Sequence, residues 1–154
     1  MAELETYEPT RVGRWMSADV VTVDPGASVH DALEVMTDHR IRHLPVVEDG
    51  ALLGIISNRD AVRCALQASP RKGWEPTRHT KVRDVMTTGD LRSVTPLALV
   101  LDAAELLARE KISALPVVQG RKLVGIVTSE DMLWALLDEL GRREGEEELG
   151  PDLT

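Results

Sequence analysis

One stretch of this chain occurs twice at a fixed spacing, and that duplication limits what it can fold into. The first copy reads His43-Leu44-Pro45-Val46-Val47, then Leu52-Leu53-Gly54-Ile55-Ile56-Ser57-Asn58-Arg59-Asp60. The second reads Ala114-Leu115-Pro116-Val117-Val118, then Leu123-Val124-Gly125-Ile126-Val127-Thr128-Ser129-Glu130-Asp131. Pro45 and Pro116, Gly54 and Gly125, and Asp60 and Asp131 are each 71 residues apart. From Val23 to Asp60, 16 of 38 positions are identical at that offset without a gap, which marks a duplicated unit. Each copy predicts two short strands feeding into a helix, with a hydroxyl and a carboxylate at the junction.

The rest of the chain repeats with it. Val20–Val23 and Leu91–Val94 predict strands, ended by Pro25-Gly26 and Pro96. Ser28 predicts an N-cap with Asp31 three residues on. Val29, Ala32, Leu33 and Met36 then recur on one helical face; Val100, Ala103, Ala104 and Leu107 do the same in the second copy. The hairpins turn at Glu48-Asp49-Gly50 and Gln119-Gly120-Arg121. Ala61, Val62, Ala65 and Leu66 predict the buried face of a helix after Ser57. Met132, Leu133, Leu136 and Leu137 predict that of a helix from Ser129 to about Leu140, stopped by Gly141. Arg11–Ser17 predicts a short turn carrying Val12, Trp15 and Met16 inward.

The organisation expected is a flexible acidic arm at 1–10, a first repeat at 11–68, a linker at 69–80, a second repeat at 81–141 and a disordered acidic tail at 142–154. One repeat of about 55 residues buries too little surface to be stable alone. The expected fold is therefore α/β (α+β): two tandem β-α-β-β-α repeats packed sheet to sheet about a pseudo-two-fold axis, with two related clefts.

Charge and composition exclude several classes. The net charge is −8, but Glu3, Glu5 and Glu8 at one end and the acidic run from Asp138 at the other account for all of it. The body is neutral and lacks a basic stripe, so a nucleic-acid partner is not expected. Aromatics are 3% of the chain, too few for a base-stacking platform. Cys64 is alone and sits among apolar residues at helical spacing, which predicts a buried structural thiol. The N-terminus is acidic without an apolar run, and no run approaches the 18–20 residues or so that span a bilayer. A cytoplasmic protein with no membrane partner is expected. The linker carries Arg71, Lys72, Arg78, Lys81 and Arg83 against Glu75, a solvated loop that could reach a partner, with Trp74 as a candidate dimer contact. His39 and His43 straddle the expected helix end, so no metal site is expected from them. There is no P-loop, nucleophile elbow or CxxC, and no residue set for covalent chemistry.

The Leu-Pro-Val-Val strands, the Gly-Ile-(Ile/Val)-(Ser/Thr)-x-x-Asp junctions and the runs Asp31-Ala32-Leu33-Glu34 and Asp102-Ala103-Ala104-Glu105 together resemble a tandem pair of CBS domains, the regulatory domains named after cystathionine β-synthase. The resemblance covers roughly residues 12–140. It implies a non-catalytic sensor module that binds an adenosine-type ligand (AMP, ADP, ATP or S-adenosylmethionine) in the inter-repeat clefts. It also implies a flat, disc-like homodimer, no required cofactor, and an effector protein of unknown identity.

Two readings attach to Ser57-x-x-Asp60 and Thr128-x-x-Asp131. One is helix capping, which needs no ligand. In the other, the resemblance implies that Asp60 and Asp131 accept the two hydroxyls of a ribose while Ser57 and Thr128 face phosphate. Arg42, His43 and Arg59 offer cations to phosphate at the first junction. The second has Ser113-Ala114 at the places of Arg42-His43, so the two sites should differ, with phosphate handled better at the first. The resemblance also implies that the strands entering each repeat, Val21-Thr22-Val23 and Arg92-Ser93-Val94, present backbone to an adenine edge. Ile41, Leu44, Pro45, Ile112, Leu115 and Pro116 would sandwich the base, unless they are ordinary core. The alternative to a sensor is a ligand-free scaffold for dimerisation or protein interaction.

Overall fold

A computed structural model describes residues 7–89 and 91–148. The expected arm lies outside these residues up to position 6, and the expected tail does so from position 149. The elements are α1 (Val12–Trp15), α2 (Val29–His39), β1 (His43–Glu48), β2 (Ala51–Ser57), α3 (Asn58–Ala65), α4 (Pro76–His79), α5 (Val100–Glu110), β3 (Ala114–Gln119), β4 (Lys122–Thr128) and α6 (Ser129–Glu148). A 3-10 turn at Val82–Asp84 follows α4. The fold is mixed α/β, and its four strands lie in the order β1-β2-β4-β3.

Each hairpin has the turn chemistry it needs. Asp49 and Gly50 both take positive φ, +52° and +81°, the pattern of a two-residue turn matched to strand twist. The β1–β2 register pairs His43 with Ser57 and Leu44 with Ile56, with an irregularity between Val46 and Val47. The helices α2 and α5 both end on a basic residue in the left-handed conformation: Arg40 and Lys111 each have φ 54° and ψ 43°.

The strands expected at Val20–Val23 and Leu91–Val94 are reduced to single parallel bridges, Val23 with Val46 and Val94 with Val117. Proline explains this. The Val23 N–H donates to the Pro45 carbonyl at 3.0 Å, and the Val47 N–H donates to the Val23 carbonyl at 3.0 Å. The next rungs would need N–H groups from Pro45 toward Val21 and from Pro25 toward Val47, and proline has none. Pro116 and Pro96 remove the same two rungs around Val94.

The chain packs as two units. Among the described residues, the first holds 7–18, Val94–Val117 and 125–148; the second holds Asp19–Ser93 and Val118–Val124. In the second unit, Val23, Val29, Ala32, Met36, Leu44, Val46, Ile56, Ala61 and Cys64 form a core completed by Val82, from beyond the linker. The Val82 N–H donates to the Ala27 carbonyl at 2.8 Å, and Ile55 and Thr87 pair backbone to backbone. The first unit repeats these contacts: the Val12 N–H donates to the Ala98 carbonyl at 2.9 Å, and Ser17 pairs with Ile126. The segment before each repeat thus docks on the other repeat. Residues 7–10 join this packing rather than forming a loose arm: the Trp15 indole N–H donates to the Pro9 carbonyl at 2.7 Å and the Val100 N–H to the Thr10 carbonyl at 2.8 Å.

The helices that close each repeat bury Ala61 and Met132 as expected, but turn Ala65 and the larger aliphatic residues expected beside them outward. In α3 the inward residues are Ala61 and Cys64, and in α6 they are Met132 and Ala135. Val62, Leu66, Leu133, Leu136 and Leu137 face out, with Leu66 80% and Leu133 60% exposed. Small side chains let α3 approach its neighbours closely, which turns the larger aliphatic residues outward. Gly141 does not stop α6, which runs on to Glu148. Glycine at a helix interior costs only about 1 kcal/mol against alanine, and ion pairs Arg142–Asp138 (2.9 Å) and Arg143–Glu139 (3.1 Å) span it. Cys64 is buried, as expected. Among the described residues no helix is long and apolar enough to cross a membrane.

Candidate functional site

In the first repeat the site is built where β2 turns into α3. Ser57 keeps extended backbone (φ −98°, ψ 160°) and caps the helix. Its Oγ accepts the Asp60 N–H at 3.1 Å, while Asp60 Oδ2 accepts both the Ser57 N–H and the Ser57 hydroxyl, each at 2.9 Å. This is a reciprocal capping box. The second repeat forms the same arrangement. Thr128 Oγ1 accepts the Asp131 N–H at 3.2 Å, and Asp131 Oδ2 accepts the Thr128 N–H at 2.8 Å and its hydroxyl at 3.0 Å.

The capping reading therefore holds at both junctions, and the carboxylates take part as well as the hydroxyls. Each Oδ2 already accepts two hydrogen bonds. The other carboxylate oxygen, Oδ1, lies outside these bonds and carries two lone pairs of its own. Both aspartates are half-buried, so the cap fixes them without closing them off.

A second backbone bond fixes the start of the first hairpin strand against the helix. The Asn58 N–H donates to the Arg42 carbonyl at 2.7 Å, and the Ser129 N–H donates to the Ser113 carbonyl at 3.0 Å. The first bond, with the His43–Ser57 pairing, brings Arg42, His43, Ser57 and Asp60 together, with exposed Arg59 beside them on α3. The second brings Ser113, Thr128 and Asp131 together, and puts Glu130 where the first repeat has Arg59. Sequence reading missed Glu130; the 71-residue offset is the signal that finds it.

Local electrostatics differ accordingly. Burial holds the His43 imidazole below its ordinary value; Asp60 opposes that shift and Arg42 adds to it. Burial pushes the Asp131 carboxyl up; its hydrogen bonds from Thr128 oppose this and Glu130 adds to it.

The other expected site residues are placed apart from these or covered. Thr22 is exposed beside the Val23 bridge. Pro45 and Pro116 are fully buried, as are Leu44 and Leu115. The two prolines act through their carbonyls, which accept the Val23 and Val94 N–H groups at 3.0 and 3.1 Å. Of the six aliphatic residues considered for a base, Ile41 and Ile112 keep open surface. In the linker, Trp74 stacks on His79 with ring centroids 3.6 Å apart. Among the described residues no group of three His, Cys, Asp or Glu side chains could hold a metal ion.

The family model of the CBS domain matches residues 12–66 and 82–138. The chain belongs to the CBS-domain family. It is 37% identical over 118 residues to the CBS domain-containing protein YhcV of Bacillus subtilis, covering 76% of this chain and 79% of that protein. A homoserine O-acetyltransferase of Methanococcoides burtonii is 36% identical over 126 residues, 80% of this chain but 23% of that enzyme's length. Similar solved structures include CBS proteins in complex with adenosyl ligands. The CBS-domain pair of protein MJ0100, in complex with 5′-methylthioadenosine and S-adenosyl-L-methionine, superposes with TM-score 0.72 at 28% identity, over 84% of this chain and 98% of that one. CBSX2 in complex with AMP superposes with TM-score 0.71 at 33% identity, over 83% and 96%.

Proposed function

We propose that this CBS pair is a regulatory module that binds an adenosine-type ligand and passes occupancy on to an effector protein through a homodimer in the cytoplasm. The observation that carries the reading is the cluster of Arg42, His43, Arg59 and Asp60 at the capped start of α3. Arg42 and Arg59 supply guanidinium forks for phosphate, and the helix N-terminus adds its dipole. Asp60 Oδ1, outside the two Oδ2 bonds of the cap, would accept a ribose hydroxyl. The complexes of MJ0100 and CBSX2 with adenosyl ligands support this choice of ligand class.

The homodimer is supported by the helix faces left uncovered. Val62 on α3 and Leu66 at its C-terminal cap stand at the positions of Leu133 and Leu137 on α6, and all four are exposed. Apolar residues at matched places in both repeats suit a self-complementary contact. A change in dimer geometry on binding requires that the ligand bind one state better than the other. No catalytic role is assigned: the residues at the junction bind and orient, and the Ser57 and Thr128 hydroxyls are engaged in their own capping boxes.

A second reading, a ligand-free interaction scaffold, is favoured by the way the capping boxes already satisfy Asp60 and Asp131. Native mass spectrometry separates the two. The sensor reading expects a dimer that retains AMP adducts in volatile buffer. A dimer that stays bare in millimolar AMP supports the scaffold; a bare monomer contradicts both.

A further inference from the structure

The two junctions share one backbone frame but carry opposite charge. The same cap and the same strand-to-helix hydrogen bond fix both, so residues at the 71-residue offset occupy equivalent places. At the first junction Arg42 and Arg59 stand with Asp60, a formal charge of +1. At the second, Glu130 and Asp131 stand with Ser113 at the place of Arg42, a formal charge of −2. The substitutions nearest the cap are Arg42 by Ser113 and Arg59 by Glu130, and both remove positive charge from the helix start.

We propose that the second junction, framed by Ser113, Thr128, Glu130 and Asp131, takes an adenosyl ligand without phosphate, neutral or cationic, while the first takes the phosphate-bearing one. This rests on the adenosine-ligand reading above and adds a division of labour to it. A phosphate placed at the second junction as at the first would face Glu130 and Asp131 with no guanidinium from position 113 or 130. Like charges held this close reject a ligand that the rest of the site would accept. A sulfonium or amine on the same ribose would meet carboxylates instead. The sense of the local fields agrees: Glu130 favours the protonated form of Asp131, and Arg42 favours neutral His43.

The test is calorimetric titration of the whole protein at low ionic strength with AMP, S-adenosylmethionine and 5′-methylthioadenosine. The expected result is one AMP per chain, and a protein saturated with AMP that still binds one of the other two. The double variant S113R/E130R should bind a second AMP, with affinity at that site raised about tenfold or more, a gain of about 1.4 kcal/mol or more. R42S/R59E should lose AMP by a similar factor while keeping the phosphate-free ligand within about twofold. Two equal AMP sites per chain in the unaltered protein would overturn the division of labour and leave the adenosine reading standing. No heat with any of the three ligands would overturn both. The stoichiometry of the unaltered protein decides the matter even if a variant fails to fold.

Discussion

Gly54 and Thr87 approach so closely that no side chain fits between them: a Cβ on Gly54 would lie 2.7 Å from the Thr87 carbonyl oxygen. Thr87 belongs to the segment before the second repeat, yet it pairs with Ile55 of the first. A Cβ on the matched glycine, Gly125, would meet Met16 Sδ at 2.6 Å and the Ser17 carbonyl oxygen at 3.0 Å. In one case the nearest obstacle is backbone, in the other the far end of a flexible side chain. Gly54→Ala should therefore destabilise by about 1–3 kcal/mol and Gly125→Ala by less. Urea unfolding of the two variants checks the order; equal losses would show that Met16 cannot move aside.

His43 links stability to pH. Its folded-state value lies below the ordinary 6.5, so between the two values the unfolded chain binds more protons. Stability from this group is fully present above pH 6.5 and is lost as pH falls through the folded value. The urea midpoint should drop between about pH 7.5 and about pH 5.5, and the drop should shrink in His43→Gln. An unchanged slope in that variant would assign the pH dependence to other groups.

The first helices of the two repeats are capped unequally. Ser28 Oγ accepts the Asp31 N–H at 3.0 Å, whereas Leu99, at the matched place, makes no side-chain cap. Ser28→Ala should cost about 1 kcal/mol. Leu99→Ser should gain several tenths of that, since it supplies the missing acceptor. Thermal midpoints of both variants measure the contrast.

A Cβ added at Gly141 would meet no heavy atom within 4 Å beyond its own helical turn, and the residue lies inside α6. Gly141→Ala should therefore stabilise the distal part of α6 by about 0.5–1 kcal/mol. Far-UV circular dichroism should show more helix and a higher midpoint. A fall in helicity would mean that the glycine has a conformational role there.

Much of this was legible in the residues themselves. The repeated Leu-Pro-Val-Val and Gly-Ile runs with their turn residues placed both hairpins, the 3.6-residue period placed the helices α2 and α5, and the 71-residue offset exposed the duplication. Ser57–Asp60 announced its capping box through spacing alone. What was hidden depends on tertiary choice. Nothing local says that Val12 will dock on the second repeat and Val82 on the first. The apolar residues of α6 populate more than one face, so periodicity could not choose Met132 and Ala135 over Leu133 and Leu137. The short bridges at Val23 and Val94 were readable in principle from Pro25, Pro45, Pro96 and Pro116, but only once the pairing was known. At the site, Arg42 and Asp60 were identifiable by type and position, whereas the burial of Pro45 and Pro116 depends on packing from several elements.

The central claim, that the first junction holds an adenosine-type ligand through Asp60, is tested most directly by thermal unfolding against AMP concentration. A ligand that binds only the folded state stabilises by about 2.7 kcal/mol at about one hundred times its dissociation constant. The account predicts a melting midpoint that climbs steadily with AMP in the unaltered protein and stays flat in Asp60→Ala. A flat midpoint in the unaltered protein up to millimolar AMP would contradict it.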